Sequence, residues 1–400
     1  MLSSMICISA SAAFLVGGYE FSRNAMASLF LDRFGSGPMP YAMAVVPFLM
    51  AFLIYGYGRL LTRLGSRRTL MISLGASAAV FIGAYPALRS GSRPAVAALY
   101  IFTEAYIVIL VEQFWSFINS TLDQGQAKAF NGPILGGAAL GPVTAGLIVR
   151  YWAPSLGSEM FVLLSGLSLI PAAILAWTAY HLAGEPQPTG DEQGGRFGAL
   201  HLGIIFEHRV LLFIALVVGL SQCFATAANL RLYQLLEVSI PQQDLRTAYL
   251  GSFWAMVNTL AFLMQFVVTP LLLRRLPLIV LLVGIPLVNL AAACFMFSSP
   301  ALGVCATAFL LFKGMDYSVF RASKELLYIP LSFDARYRAK QVVDSFTYRF
   351  SKGASAGLIS AARGLLGGLP AWTYPAVCLG AAASWVVAAV PLARNASRSE

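Results

Sequence analysis

Charge is what this 400-residue sequence has least of: Asp, Glu, Lys and Arg make up 11% of it, against roughly 25% in an ordinary soluble domain. With 58% of its residues hydrophobic, most of the surface has lipid as its solvent, which excludes a soluble globular fold. Histidine is nearly as scarce. His181, His201 and His208 all fall at or near one central polar stretch, which excludes a His-ligated metal or haem site within the membrane. The five cysteines (Cys7, Cys223, Cys294, Cys305, Cys378) are scattered through apolar runs without CxxC spacing. They read as small packing residues, not as disulfide partners or metal ligands. The opening stretch MLSSMICISASAAFLVGG has no Lys or Arg ahead of its apolar run, so a cleaved signal peptide is not expected. No nucleophile constellation, metal cluster or phosphate-cradling glycine loop stands out, so neither an enzyme nor a cofactor is expected.

What the sequence has in abundance is apolar runs of membrane-spanning length, separated by short segments rich in Gly, Pro, Ser or Arg. The expected spans are 4–31, 40–61, 69–88, 95–119, 130–151, 159–182, 209–235, 247–273, 277–298, 301–331, 340–364 and 371–393. This predicts an all-α polytopic membrane protein of about twelve transmembrane helices. The one long polar stretch, 183–208, is rich in Gly, Pro, Gln and acidic residues and reads as a flexible cytoplasmic linker. It divides the chain into an N-terminal six-helix bundle, 1–182, and a C-terminal one, 209–400.

The net charge of +10 is concentrated in a few loops, which makes it a topology signal and not a nucleic-acid footprint. Arg59, Arg63, Arg67 and Arg68 follow the second span, Arg274 and Arg275 the eighth, and Arg336, Arg338 and Lys340 the tenth. By the positive-inside rule these loops are cytoplasmic, as are both termini, in a bacterial inner membrane. The lipid bilayer is the partner this composition dictates; nucleic acid is not expected as a partner, and a monomer is.

A charge inside a span is costly unless it faces a cavity or a partner, so each is a candidate site residue. They fall in four spans: Glu20 and Arg23 in the first, Glu104 and Glu112 in the fourth, Arg231 and Glu237 in the seventh, and Lys313, Asp316, Arg321, Lys324 and Glu325 in the tenth. Lys313 and Lys324, eleven residues apart, return to nearly the same face of a regular helix. Glu20 and Arg23 at i, i+3, and Arg321 and Glu325 at i, i+4, can neutralise one another. Glu104 has no oppositely charged neighbour within a turn, so it needs a cation from another helix, a proton or a solute. Glu112, Glu237, Arg336 and Lys340 lie near span ends, where solvation or snorkelling accounts for them.

Two resemblances follow from particular motifs. Gly58-Arg-Leu-Leu-Thr-Arg-Leu-Gly-Ser-Arg-Arg68 resembles the signature turn of the major facilitator superfamily, with Thr62 at the usual acidic position, and a basic turn recurs after the eighth span. The resemblance implies two bundles with spans 1, 4, 7 and 10 around a central polar cavity, and gating through Arg63, Arg67, Arg68, Arg274 and Arg275. Thr103-Glu-Ala-Tyr, Gln113-Phe-Trp-Ser-Phe-Ile-Asn119 and, above all, Asp316-Tyr-Ser-Val-Phe-Arg-Ala-Ser-Lys-Glu-Leu-Leu-Tyr-Ile-Pro-Leu331 with Arg338-Ala-Lys-Gln-Val-Val-Asp344 resemble the ATP/ADP translocase family of plastids and obligate intracellular bacteria. By that resemblance Glu104 and Lys324 fall on charged positions linked to nucleotide transport. Arg23-Asn-Ala-Met-Ala27 stands where the family has Arg-Asp-Thr-Lys-Asp, and a family glutamate of the seventh span is replaced near Thr226. The chain thus keeps Arg23, Arg231, Lys313 and Lys324 to meet an anionic, nucleotide-like solute, with Glu104 and Asp316 beside them. Two other readings are a proton-coupled permease or exporter of an uncharged or amphipathic solute, with Glu104 as proton carrier, and a non-transporting scaffold or sensor.

Overall fold

A computed structural model describes residues 2–122, 124–184, 209–328, 343 and 347–396. Lipid offers no partners for backbone amides, so an apolar run must satisfy them internally as helix, and the described chain follows that rule. Its helices are α1 (Leu2–Phe34), α2 (Met39–Arg89), α3 (Arg93–Thr121), α4 (Gln124–Leu156), α5 (Ser158–Ala183) and α6 (Arg209–Ser239). They continue with α7 (Gln243–Arg275), α8 (Leu278–Ser298), α9 (Leu302–Tyr328), α10 (Tyr348–Leu365) and α11 (Thr373–Ala396).

Among the described residues, ten helices are long and apolar enough to cross a membrane. One of them, α2, holds two of the expected spans: Gly65 breaks it with φ 77° and ψ 171°, a conformation that glycine adopts without the Cβ clash other residues meet. The 18-residue α10 occupies the expected eleventh span. Helices thus stand at each of the twelve expected spans. Widened π-helical turns occur at Met264–Val268 in α7 and Asp316–Phe320 in α9. The 185–208 stretch and the Arg336, Arg338 and Lys340 loop lie outside the described residues.

The contacts divide the chain into two units. The first comprises 1–35, 45–193 and 240–258, the second 36–44, 194–239 and 259–400. In the first, α1 runs against α3, α4 and α5, and small residues let backbones approach closely, as lipid-phase helix packing favours. A Cβ added to Gly141 would run into the backbone of Ala13, and one at Gly146 would stand 2.8 Å from the Gly251 carbonyl oxygen. Serines add bonds across helices: Ser4 Oγ donates to the Ala179 carbonyl (2.9 Å) and Ser11 Oγ to that of Ala172 (2.7 Å). The first amide of α5 is capped from α7, with Ser158 N donating to Asp244 Oδ1 at 2.8 Å, which satisfies a donor that a helix start leaves open.

In the second unit α6 packs against α9, α10 and α11, around an aromatic group of Phe224, Phe312, Phe320 and Trp385. Ring centroids lie 4.9 Å apart for Phe224 and Phe312 and 5.1 Å apart for Phe320 and Trp385. Cys305 and Cys378 are buried here with their thiols directed at the Ala228 and Phe224 carbonyls.

Candidate solute-binding site

Helix α9 carries the densest group of buried charge. Lys313, Asp316 and Lys324 are exposed by only 6%, 8% and 9%. Lys313 Nζ stands 3.6 Å from Asp316 Oδ2, an ion pair too long for a hydrogen bond, and Oδ2 has no hydrogen-bond partner among the described residues. The ammonium group is ringed by aromatics, 4.8 Å from the Tyr317 ring, 5.4 Å from Phe312 and 5.8 Å from Phe309. Lys324 and Arg321 also lie within electrostatic reach of Asp316, and Tyr348 at the start of α10 lies within reach of Lys313 and Asp316.

The local sequence explains how these groups meet. Gly314 has Leu260 so close that an added Cβ would stand 2.7 Å from its Cδ2, which brings α7 up against α9. Immediately after it the helix widens into the π turn Asp316–Phe320. Such a turn inserts about one residue, about 100° of rotation, between the flanking α-helical segments. Lys324 is therefore rotated away from the face that regular α spacing assigns it, while Asp316, at the start of the turn, remains in reach of both lysines.

Arg231 sits at another level. The Phe224–Phe312 ring pair and the Cys305 contact with Ala228 fix the antiparallel register of α6 and α9, placing Arg231 opposite the first turn of α9, about 12 Å along the helix from Lys313. Its Nη1 donates to Gln234 Oε1 at 2.6 Å.

In the first unit Arg23 is engaged within its own helix. Its Nη2 donates to both carboxylate oxygens of Glu20 at 2.5 Å, Asn258 Nδ2 donates to Glu20 Oε1 at 3.0 Å, and the guanidinium carbon lies 3.5 Å from the Trp254 ring centroid and 5.1 Å from that of Tyr19. Glu104 is half-buried on α3 and has an interaction of its own. The Phe30–Tyr100 and Tyr19–Tyr106 ring pairs set α1 against α3 so that Glu104 and Arg23 share a level. Met26 and Ala27, at two charged positions of the family stretch, are packed into the interior. Thr226 is buried and bonds the Gln222 carbonyl of its own helix at 2.8 Å.

Of the basic turn residues, Arg63, Arg68, Arg274 and Arg275 are exposed, and Arg67 lies over Trp177 with its guanidinium carbon 5.2 Å from the ring centroid. Lys313, Asp316 and Lys324 are thus drawn together, while Arg231 stands apart from them. Residues the charge survey missed are Tyr317 and Tyr348 beside Lys313, Trp254 and Asn258 beside the Glu20–Arg23 pair, and the buried Arg246, paired with Asp32 at 3.2 Å. Trp254 and Asn258, at i and i+4 in the eighth span, form a polar-aromatic face that such a survey passes over.

Residues 248–395 match the TLC ATP/ADP transporter family, a segment that includes the whole of the α9 site. Over that segment the chain is similar to the ATP/ADP translocases. It is 24% identical to ADP,ATP carrier protein 1 of Chlamydia pneumoniae over 343 residues, which is 74% of this chain and 66% of that protein. Among solved structures it is similar to a bacterial homologue of the iron transporter ferroportin in an inward-facing state, with a TM-score of 0.72 and 13% identity over 98% of this chain and 99% of the other. It also resembles the nucleoside transporter NupG, at TM-score 0.68 and 12% identity over 97% and 98% of the two chains. A third similar structure is a D-xylose–proton symporter, at 0.64 and 14% over 95% and 96%. These likenesses give the chain the major facilitator fold. It is a multi-pass membrane transporter.

Proposed function

We propose that this transporter moves a nucleotide or another phosphorylated, anionic metabolite by alternating access. The observation that carries the reading is the α9 cluster, in which the buried Lys313–Asp316 pair stands at a π turn and the buried Lys324 lies within electrostatic reach of the same carboxylate. Ion pairs inside a membrane protein are retained where they serve a solute path, and π turns recur at functional positions. A phosphate oxygen competes with Asp316 for Lys313, whose 3.6 Å pairing leaves room for exchange, and Lys324 completes the charge that a dianion requires. Tyr317 and Tyr348 offer hydroxyl donors beside the lysines. Arg23, held by Glu20, reaches a solute only by exchanging that carboxylate. Glu104 pairs with a cation in the empty carrier and sets the coupling between binding and conformational change. The two six-span halves, 1–182 and 209–400, rock about the solute, with Arg63, Arg67, Arg68, Arg274 and Arg275 gating the cytoplasmic side of a bacterial inner membrane and both termini on that side.

Purified protein in detergent, tested for thermal stabilisation by a panel of nucleotides, sugar phosphates and uncharged analogues, examines this directly. A ligand that binds only the folded state raises the melting temperature. The expected result is stabilisation by phosphorylated members alone, lost in Lys324→Gln and only partly regained in Lys324→Arg, whose planar fork is a different donor. Stabilisation by uncharged analogues that persists in Lys324→Gln contradicts the proposal. The half-buried carboxylate of Glu104 favours the second reading, a proton-coupled permease, for which Glu104→Gln abolishes the dependence of uptake on a pH gradient and leaves anion binding unaffected.

A further inference from the structure

Three side chains at the end of the second unit opposite Lys324 make up a separate cationic group. Arg231 comes from the last third of α6, Arg363 from the end of α10 and Tyr374 from the start of α11. Arg231 is 6% exposed, and among the described residues its Nη1 donates to a neutral amide oxygen, that of Gln234. The buried Tyr374 phenol lies within electrostatic reach of both guanidiniums. Neither Arg231 nor Arg363 has a carboxylate within 4.0 Å among the described residues, unlike Arg23, Arg33, Arg246 and Lys313. Glu237, further along α6, is turned to a backbone amide, with its Oε2 accepting from Ser36 N at 2.8 Å.

We propose that Arg231, Arg363 and Tyr374 form a second anion site, distinct from the α9 cluster, that receives a phosphate group. A buried guanidinium facing a neutral amide keeps its charge uncompensated, and its planar fork matches two oxygens of a phosphate. Tyr374 supplies a hydroxyl donor to a third oxygen. Residues 36–44 lie over this end of the same unit: Tyr41 donates to the Ser360 carbonyl at 3.1 Å, and Gly37 lies so close to Arg363 that an added Cβ would stand 2.5 Å from its Nη2. That glycine lets the strap rest directly on the guanidinium, and the anion enters as the strap lifts. Arg231 is about 12 Å from the level of Lys313, and Lys324 lies about 16 Å further along α9, so the unit holds cations at successive depths along a phosphate's route. The purpose of the site rests on the transport reading, whereas its binding of phosphate does not.

The test uses the full-length protein in nanodiscs of phosphatidylcholine, titrated with pyrophosphate by calorimetry, in wild type, Arg231→Gln, Arg363→Gln and Lys324→Gln. The expected result is two binding components in the wild type, one weakened at least tenfold by either arginine substitution and kept in Lys324→Gln, the other lost only in Lys324→Gln. Adding phosphatidylglycerol identifies the natural source of the phosphate: competition that vanishes in Arg363→Gln assigns a lipid headgroup, and unchanged affinity assigns a free solute. Half-buried Arg363 carries the test should Arg231→Gln fail to fold. Wild-type affinities and stoichiometry in the arginine variants overturn the second site. Loss of the Lys324-dependent component alone leaves the α9 site standing, and its absence from the wild type counts against the α9 reading separately.

Discussion

Asp316 is the residue on which the buried charge of the second unit turns. It is the carboxylate within 4.0 Å of Lys313, and removing one member of a buried pair strands the other at a cost of about 3–5 kcal/mol. Asp316→Asn therefore lowers the thermal unfolding midpoint of the purified protein substantially. Lys313→Met combined with Asp316→Leu recovers most of that loss, since well-packed apolar replacements of a buried pair are close to neutral, yet the double variant fails to bind phosphorylated solutes. Unfolding curves for the two single variants and the double form the check, and additive losses contradict the pairing. In the first unit, Trp254→Ala removes the face on which Arg23 rests and costs about 0.5–2 kcal/mol, measurable in the same way, whereas Glu20→Gln leaves Arg23 without its carboxylate and costs more. At this scale the charged members were legible because a charge stands out in an apolar run. Tyr317, Tyr348, Trp254 and Asn258 were not, because a neutral side chain reads alike whether it faces lipid, a packed interior or a solute.

At the scale of the element, the π turn Asp316–Phe320 sets the rotation of Lys324 relative to Lys313. Deleting Val319 converts the turn towards regular α geometry and rotates everything beyond it by about 100°. The expected outcome is a folded, helical protein whose circular dichroism is unchanged but whose phosphorylated-solute binding is lost; retained binding argues that the turn has no part in the site. Gly141 offers a packing test in α4. A side chain there meets the backbone of Ala13, which cannot move as a flexible side chain can, so Gly141→Val destabilises by about 1–3 kcal/mol or more, read as a lowered midpoint in detergent. The spans themselves were legible with edges close to those observed, because lipid forces each long apolar run into a helix. The widened turns were not, since 3.6-residue spacing assumes a regular helix and no residue type announces an inserted one. The break between the second and third spans was legible: the chain leaves helical geometry at Gly65, inside the stretch that composition reads as a turn.

The whole molecule is a transporter in the major facilitator fold, related to the ATP/ADP translocases through a segment that contains the α9 site. Its class was legible from two physical facts: scarce charge, which makes lipid the solvent, and the concentration of what charge there is in a few loops and a few spans. The grouping of 36–44 with the second unit and of 240–258 with the first was not legible. It arises from Ser36, Tyr41, Asp244 and Asn258 bonding to groups far away in sequence, and pairings of that range leave no periodic trace. Proteoliposomes loaded with unlabelled solute and presented with labelled nucleotides and sugar phosphates outside give the most direct measurement of the central claim. The account predicts saturable uptake of a phosphorylated anion that is accelerated by the same anion inside and falls at least tenfold in Lys324→Gln. Uptake confined to an uncharged solute, driven by a pH gradient and unaltered in Lys324→Gln, would contradict it.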